Sequence, residues 1–224
     1  MTRFTPAKFF PFLLLFIFCA TVLAGPTLHE DTIYVSDATS DLNSADVEKT
    51  ADGKPSEGVD YTEDNANLQQ LVDTPEPSAN VKGLLYNPGD ACTMITSPTN
   101  IPKSLMNQRI ALIKQNSSCS IYDQINAVQN DGVIGAVYYG DGTTPTTPTS
   151  SKPSIKIPVF KINKEKGDNL MNKLNEFAAT EGSTKMVRVI MLPSSGSFGG
   201  GWQIAIIVIG AILAASFLVS GEYI

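Results

Sequence analysis

Histidine is almost missing from this 224-residue chain: His29 is the only one. That excludes zinc sites built on several histidines. Cysteine is nearly as scarce, with Cys19, Cys92 and Cys119 making up the full set. Cationic side chains are short as well, 16 Lys and Arg against 22 Asp and Glu, for a net charge of −6. Such a balance suits a polyanion poorly, so nucleic acid is not an expected partner. No metal or cofactor is expected either.

The deficit of positive charge is local. Residues 26–80 hold thirteen acidic side chains against two lysines, whereas residues 81–192 hold twelve basic against eight acidic. From Ser36 to about Asn67 the chain is Asp, Glu, Ser, Thr and Gly with few large apolar residues. A segment of that composition buries too little surface to offset the entropy of ordering, so residues 25–80 are expected to be largely disordered. The exception is Thr32-Ile33-Tyr34-Val35, a strand-like run suited to an edge position.

Apolar residues gather at the two ends. Arg3 and Lys8 precede a run from Phe9 to Phe18, and Val22-Leu23-Ala24 then offers small residues for cleavage. This is the pattern of a secretory signal over residues 1–24. The run is about half the length needed to span a bilayer, and Pro11 fits badly inside a spanning helix. Cys19 is no lipid-attachment site, because Phe16-Ile17-Phe18 before it is too bulky. At the other end, residues 201–220 carry no charge and are mostly Ile, Ala, Val and Leu. They match the length of a transmembrane helix, with Trp202 at one boundary. Gly210 and Ala214 form a small-x-x-x-small pair of the kind that supports helix dimerisation. The tail Gly221-Glu222-Tyr223-Ile224 has no Lys or Arg to fix the helix. Those residues can be encoded by codons containing GTGAGT, the usual start of a spliceosomal intron. A chain cut short of its cytosolic part and a chain with a short natural tail are therefore both open readings.

Between these ends, from Val81, short apolar runs alternate with turn signals. Residues 81–86, 109–114, 133–139, 158–162 and 186–191 read as strands. Ile121, Ile125 and Val128 share one helical face; Leu170, Leu174 and Phe177 share another, with Asp168 near its start. Strands interleaved with two helices predict one α/β domain over residues 81–192, followed by a linker at 193–200. Cys92 and Cys119 are the cysteines left after signal cleavage, and in an oxidising compartment they are expected to pair as a structural disulfide. The bridge would close a loop worth roughly 3.5 kcal/mol on the chain-entropy account. Asn116-Ser117-Ser118 is an N-glycosylation sequon in what should be a surface loop. Residues 143–151, all Thr, Pro and Ser, form a loop open to O-glycosylation or simply flexible.

Several fragments in this region, taken in order, resemble the protease-associated (PA) domain family. Gly83-Leu84-Leu85 followed by Asp90-Ala91-Cys92 is similar to the family's opening motif. Ala111-Leu112-Ile113-Lys114 with Cys119-Ser120-Ile121 resembles its next strand and turn. Ala127-Val128-Gln129, Gly132 and Gly135-Ala136-Val137-Tyr138-Tyr139 resemble a third fragment; Ile157-Pro158-Val159-Phe160-Lys161-Ile162 with Gly167 and Leu170 a fourth. Ile121 stands where the family has an aromatic residue and Gln124 where it has Lys. The resemblance implies a β-rich sandwich flanked by two helices and carrying no catalytic residues of its own. Signal peptide, PA domain and one transmembrane helix is an order shared with PA–transmembrane–RING ubiquitin ligases and with vacuolar sorting receptors. The short spacing from Leu192 to Gly201 is closer to the ligases.

The expected function is therefore that of a type I single-pass membrane protein of the endomembrane system (endosome, vacuole or Golgi) or plasma membrane. Its lumenal domain would bind proteins or peptides, and its partners would include the ubiquitin machinery only if a cytosolic RING exists in a longer form. A RING needs eight Cys or His ligands, which four cytosolic residues do not supply. The alternatives are a sorting-receptor-like protein and a plain membrane-anchored PA protein. The chain itself is not expected to be an enzyme. The loops Asn87–Asp90 and Asp141–Lys156 are the candidates for ligand contact.

Overall fold

Ile110-Ala111-Leu112-Ile113 and Gly135-Ala136-Val137-Tyr138-Tyr139 have no polar face, the pattern of strands covered on both sides. The computed structural model bears this out. It describes residues 25–194 apart from 37, 38, 40, 44, 50, 93, 94, 99, 116–118, 141–152 and 181–183. The expected signal peptide, the 201–220 span with its tail, the sequon at Asn116 and most of the Thr/Pro loop lie outside the described residues. Among the described residues, no helix is long and apolar enough to cross a membrane.

Four strands run parallel: β5 (Val81–Tyr86), β6 (Arg109–Lys114), β7 (Gly135–Tyr139) and β8 (Val159–Ile162). Helix α2 (Ile121–Asn130) connects β6 to β7, and α3 (Lys164–Ala179) follows β8. Side chains alternate across the sheet. Ala111, Ile113, Ala136 and Tyr138 meet Ile121, Ile125 and Val128 of α2 on one face. Ile110, Leu112, Val137, Tyr139 and Phe160 meet Leu170 of α3 on the other. Each helix opens on a cap of the expected kind: Ser120 Oγ accepts from the Asp123 N–H, and Asn163 Oδ1 accepts from the Lys166 N–H. Asp168 sits near the start of α3, one turn in from its cap.

The expected sandwich of two sheets is corrected to a single sheet. Strand β9 (Lys185–Leu192) pairs with β5 on one side and with β1 (Thr27–Tyr34) on the other, both antiparallel. Because β9 is used on both edges, the N-terminal strands extend the parallel block instead of stacking on it. Order across the sheet is β2-β1-β9-β5-β6-β7-β8-β4, where β2 is Asp46–Val47 and β4 is Gln69–Gln70; β3 (Val59–Tyr61) also borders β1.

The expectation of disorder over residues 25–80 is overturned as well. Strand β1 lies along β9 for its whole length, Thr27 opposite Leu192 and Tyr34 opposite Lys185. Leu28, Ile33, Val35, Leu42, Tyr61, Ala66, Leu68 and Leu71 are all buried. These apolar residues are too widely spaced to show a period, yet every one of them turns inward, which average composition cannot reveal. Residues 62–68, with the one-turn helix α1 (Glu63–Ala66), carry the chain from β3, beside β1, to β4, beside β8. The acidic segment is therefore a clasp between the two sides of the sheet. The Asn163 N–H donates to Ala66 O at 2.8 Å, and the Leu71 N–H donates to Val159 O at 2.9 Å, locking it to β8.

Candidate functional site

The parallel strands all finish at one end of the sheet, at Tyr86, Lys114, Tyr139 and Ile162. Loops that leave parallel strands at their carboxyl ends carry the variable chemistry of such sheets, because strand backbones there are already paired. Here that end presents the Asn87–Cys92 turn, the exit of β6 and the exit of β7.

The Asn87–Cys92 turn is organised by its own side chains. The Gly89 N–H donates to Asn87 Oδ1 at 2.9 Å and the Cys92 N–H to Asp90 Oδ1 at 3.0 Å, two local turns of the Asx type. Gly89 supplies a positive φ of 80°, and Ala91 adopts φ 52° with its side chain fully buried.

Two ties join this turn to the exit of β6. Cys92 and Cys119 are bonded as expected. Gln124, fully buried on α2, donates its amide Nε2–H to Asp90 O at 2.8 Å and to Lys114 O at 3.3 Å. With two carbonyls as acceptors, the amide can face only one way; a flip would set oxygen against oxygen. Its Oε1 is buried and has no hydrogen-bond partner among the described residues. The role of Gln124 was not visible in sequence beyond its departure from the family's Lys. Both side chains offer N–H donors at that place.

Beside these ties stands Tyr139, whose ring lies against Gly167: a Cβ on Gly167 would fall 2.0 Å from Tyr139 Cγ. Burial first, then the nearby Asp168 carboxylate, push the Tyr139 hydroxyl above its usual range. That hydroxyl is buried and has no hydrogen-bond partner among the described residues. Lys114 Nζ lies 5.9 Å from the ring centroid and 3.5 Å from Asp168 Oδ1. With Lys114 and Asp168 both substantially exposed, their pair contributes little to stability.

The two candidate ligand loops are not brought together in their described parts. Asn87–Asp90 lies at the carboxyl end. Ser154 and Lys156, by contrast, lie toward the opposite end, where Gln129 of α2 donates Nε2–H to Ser154 O at 3.2 Å and accepts from the Lys156 N–H at 2.5 Å. His29 also stands far from the carboxyl end, across from Ile190 in β9, with Nδ1 2.6 Å from Asp60 Oδ1. Among the described residues no three His, Cys, Asp or Glu side chains converge as a metal site. What the carboxyl end does offer is the tied Asn87–Cys92 turn and the exposed Lys114 ammonium above the buried Tyr139 ring.

Residues 78–170 match the family described as PA domain. No curated protein sequence matches the chain. Among solved structures, an aminopeptidase from Aneurinibacillus sp. strain AM-1 is similar with a TM-score of 0.43 and 15% identity, covering 76% of this chain and 34% of that one. A zinc aminopeptidase from Bacillus subtilis gives 0.39 and 16%, over 84% of this chain and 38% of that one. A peptidase M28 precursor from Shewanella amazonensis gives 0.39 and 11%, over 75% and 36%. The chain thus spans about a third of the length of these structures.

Proposed function

Starting from a chain whose residues 78–170 are a PA domain, we propose that it is a membrane-held binding protein. In this reading the domain captures a protein or peptide at the carboxyl end of its parallel strands. The observation that carries the reading is the Asn87–Cys92 turn. The disulfide and the Gln124 amide both fasten it to the exit of β6, so a loop beyond the strand ends is held in one shape. Pre-ordering a loop lowers the entropy lost when a ligand binds it.

The chain's one histidine is engaged with Asp60, away from that end, and its two domain cysteines are bonded to each other. This favours binding over chemistry. The apolar segments at residues 1–24 and 201–220 support a lumenal domain on a single-pass anchor. The short stretch from Leu192 to Gly201 favours the N-terminal part of a PA–transmembrane–RING ligase over a sorting receptor. Asn116 would face the glycosylating side.

Two measurements test the reading. In intact microsomes, protease added outside should leave residues 25–200 protected; digestion without detergent sinks the lumenal assignment. Residues 25–195 immobilised through one terminus should retain lumenal proteins or peptides, and substitutions at Asn87 and Lys114 should reduce capture. Undiminished capture by both variants removes the carboxyl end from consideration.

A further inference from the structure

The Asn87–Cys92 turn is held in a conformation its sequence does not favour. Ala91 sits at φ 52°, the left-handed region that a residue with a Cβ enters at a penalty. It lies between the two points at which the turn is tied to the exit of β6. On one side, Asp90 O is held by the Gln124 amide; on the other, Cys92 is bonded to Cys119. Reduction leaves the first tie intact and removes the second. Both cysteines are half-buried rather than enclosed, within reach of a dithiol.

We propose that the Cys92–Cys119 bridge is a redox-operated catch on the binding end. Its reduction lets Ala91 leave the left-handed region, withdrawing its methyl group from the core, and loosens the turn around its remaining bond to Gln124, while the sheet beneath stays folded. The reaction is thiol–disulfide exchange with a dithiol reductant. A reductant thiolate attacks one cysteine Sγ, the S–S bond breaks, and the other cysteine leaves as a thiolate that takes up a proton. The reductant's second thiol then displaces the first cysteine, so two cysteine thiols form as the dithiol closes to its own disulfide. Release stays local for a structural reason. The Gln124 bonds to Asp90 O and Lys114 O, the β5–β6 pairing from Leu84 to Tyr86 and the apolar packing of α2 do not depend on the bridge.

The functional meaning of the catch rests on the carboxyl end being the binding end. Its test uses no ligand, so the two can fail separately. The full chain in detergent is equilibrated against graded ratios of reduced to oxidised dithiothreitol, and Cys92 and Cys119 are trapped by alkylation. Ala91→Gly, which relieves the penalty of the bridged form, should raise the ratio needed for half-reduction about five- to thirtyfold. On reduction of the wild type, the amides of Gly89, Cys92 and Thr96 should exchange at least about tenfold faster, while those of Leu112 and Val137 keep their rates. The Cys92→Ser/Cys119→Ser variant should show the same local exchange without reductant. An unchanged midpoint for Ala91→Gly, a turn that stays protected after reduction or in the double variant, or loss of protection at Leu112 and Val137 together with the turn each overturns the proposal.

Discussion

Asp31 and Arg188 stand directly opposite each other on β1 and β9, and the guanidinium grips the carboxylate with two nitrogens, Nε to Oδ1 at 2.9 Å and Nη2 to Oδ2. Arg188 Nη1 also donates to Leu42 O at 2.6 Å. One residue earlier and on the other face, Glu30 is buried between the Tyr61 hydroxyl, at 2.5 Å, and the Lys173 ammonium. Two successive carboxylates of β1 thus point to opposite faces, each met by its own cation. A register slip of one residue would move both away from their partners.

This pairing sets the first expectation. Arg188→Leu leaves the Asp31 carboxylate buried and uncompensated and should lower unfolding free energy by about 3–5 kcal/mol. Asp31→Leu/Arg188→Leu should recover much of that loss in the same denaturant titration. A double variant no better than the single one would show that packing, not charge, holds β1.

The second concerns where the folding unit ends. Residues 78–170, the span of the family match, lack both β1 and β9. Without them the β5 residues from Val81 to Leu84 lose the strand beside them, and Leu28, Val187, Val189 and Met191 leave the core. A 78–170 fragment should show no cooperative thermal transition, whereas a 25–194 fragment should. A cooperative transition in the shorter piece would mean the clasp is dispensable.

The third concerns Gly167 and Tyr139. Gly167→Ala places a methyl group inside the Tyr139 ring and should destabilise by roughly 1–3 kcal/mol. Tyr139→Phe removes a buried hydroxyl with no partner among the described residues and should be neutral or stabilising by up to about 1 kcal/mol. Calorimetric melting of both variants checks the pair of signs. Marked loss in Tyr139→Phe would reveal a partner for the hydroxyl.

The fourth concerns Gln124. Gln124→Leu strips Asp90 O and Lys114 O of their donor and should lose about 1–3 kcal/mol. Gln124→Lys keeps N–H donors for both carbonyls, and its chemical denaturation midpoint should lie much nearer the wild type's than the Leu variant's does. Equal midpoints for the Leu and Lys variants would show that the amide bonds carry no weight.

The last concerns alkaline pH. Burial, the dominant cause in each, raises the hydroxyls of Tyr61, Tyr86, Tyr138 and Tyr139, with Tyr138 pushed up to about 12. Glu30 adds to the shift at Tyr61, and Asp131 adds to it at Tyr86. In the unfolded chain these groups ionise near 10.0, so the neutral forms favoured by the fold bring their full stability below that pH. The contribution is lost as pH rises from 10 through the folded values. Unfolding free energy from denaturant titration should therefore fall steeply above pH 10, with phenolate absorbance appearing in step with unfolding. Full phenolate absorbance in a still-folded chain near pH 10 would contradict it.

Much of this fold is legible in the chain itself. The strands at 81–86 and 109–114 and the helix through Ile121, Ile125 and Val128 follow from apolar runs, caps and spacing, signals that act over a few residues. The disulfide follows from Cys92 and Cys119 being the two cysteines of the stretch from Val81 to Leu192. The acidic segment was not legible, because its stability is non-local. Leu28, Tyr61, Ala66 and Leu68 gain burial only from a core built by residues far along the chain, and Glu30 and Asp31 are tolerable only beside Lys173 and Arg188. The same holds for the carboxyl end of the parallel strands: Gln124 gains its role only where α2 brings it to Asp90 O and Lys114 O. Local pattern therefore determined the elements, while pairing across long sequence separations decided that they form one sheet, clasped by a segment whose composition argues for disorder.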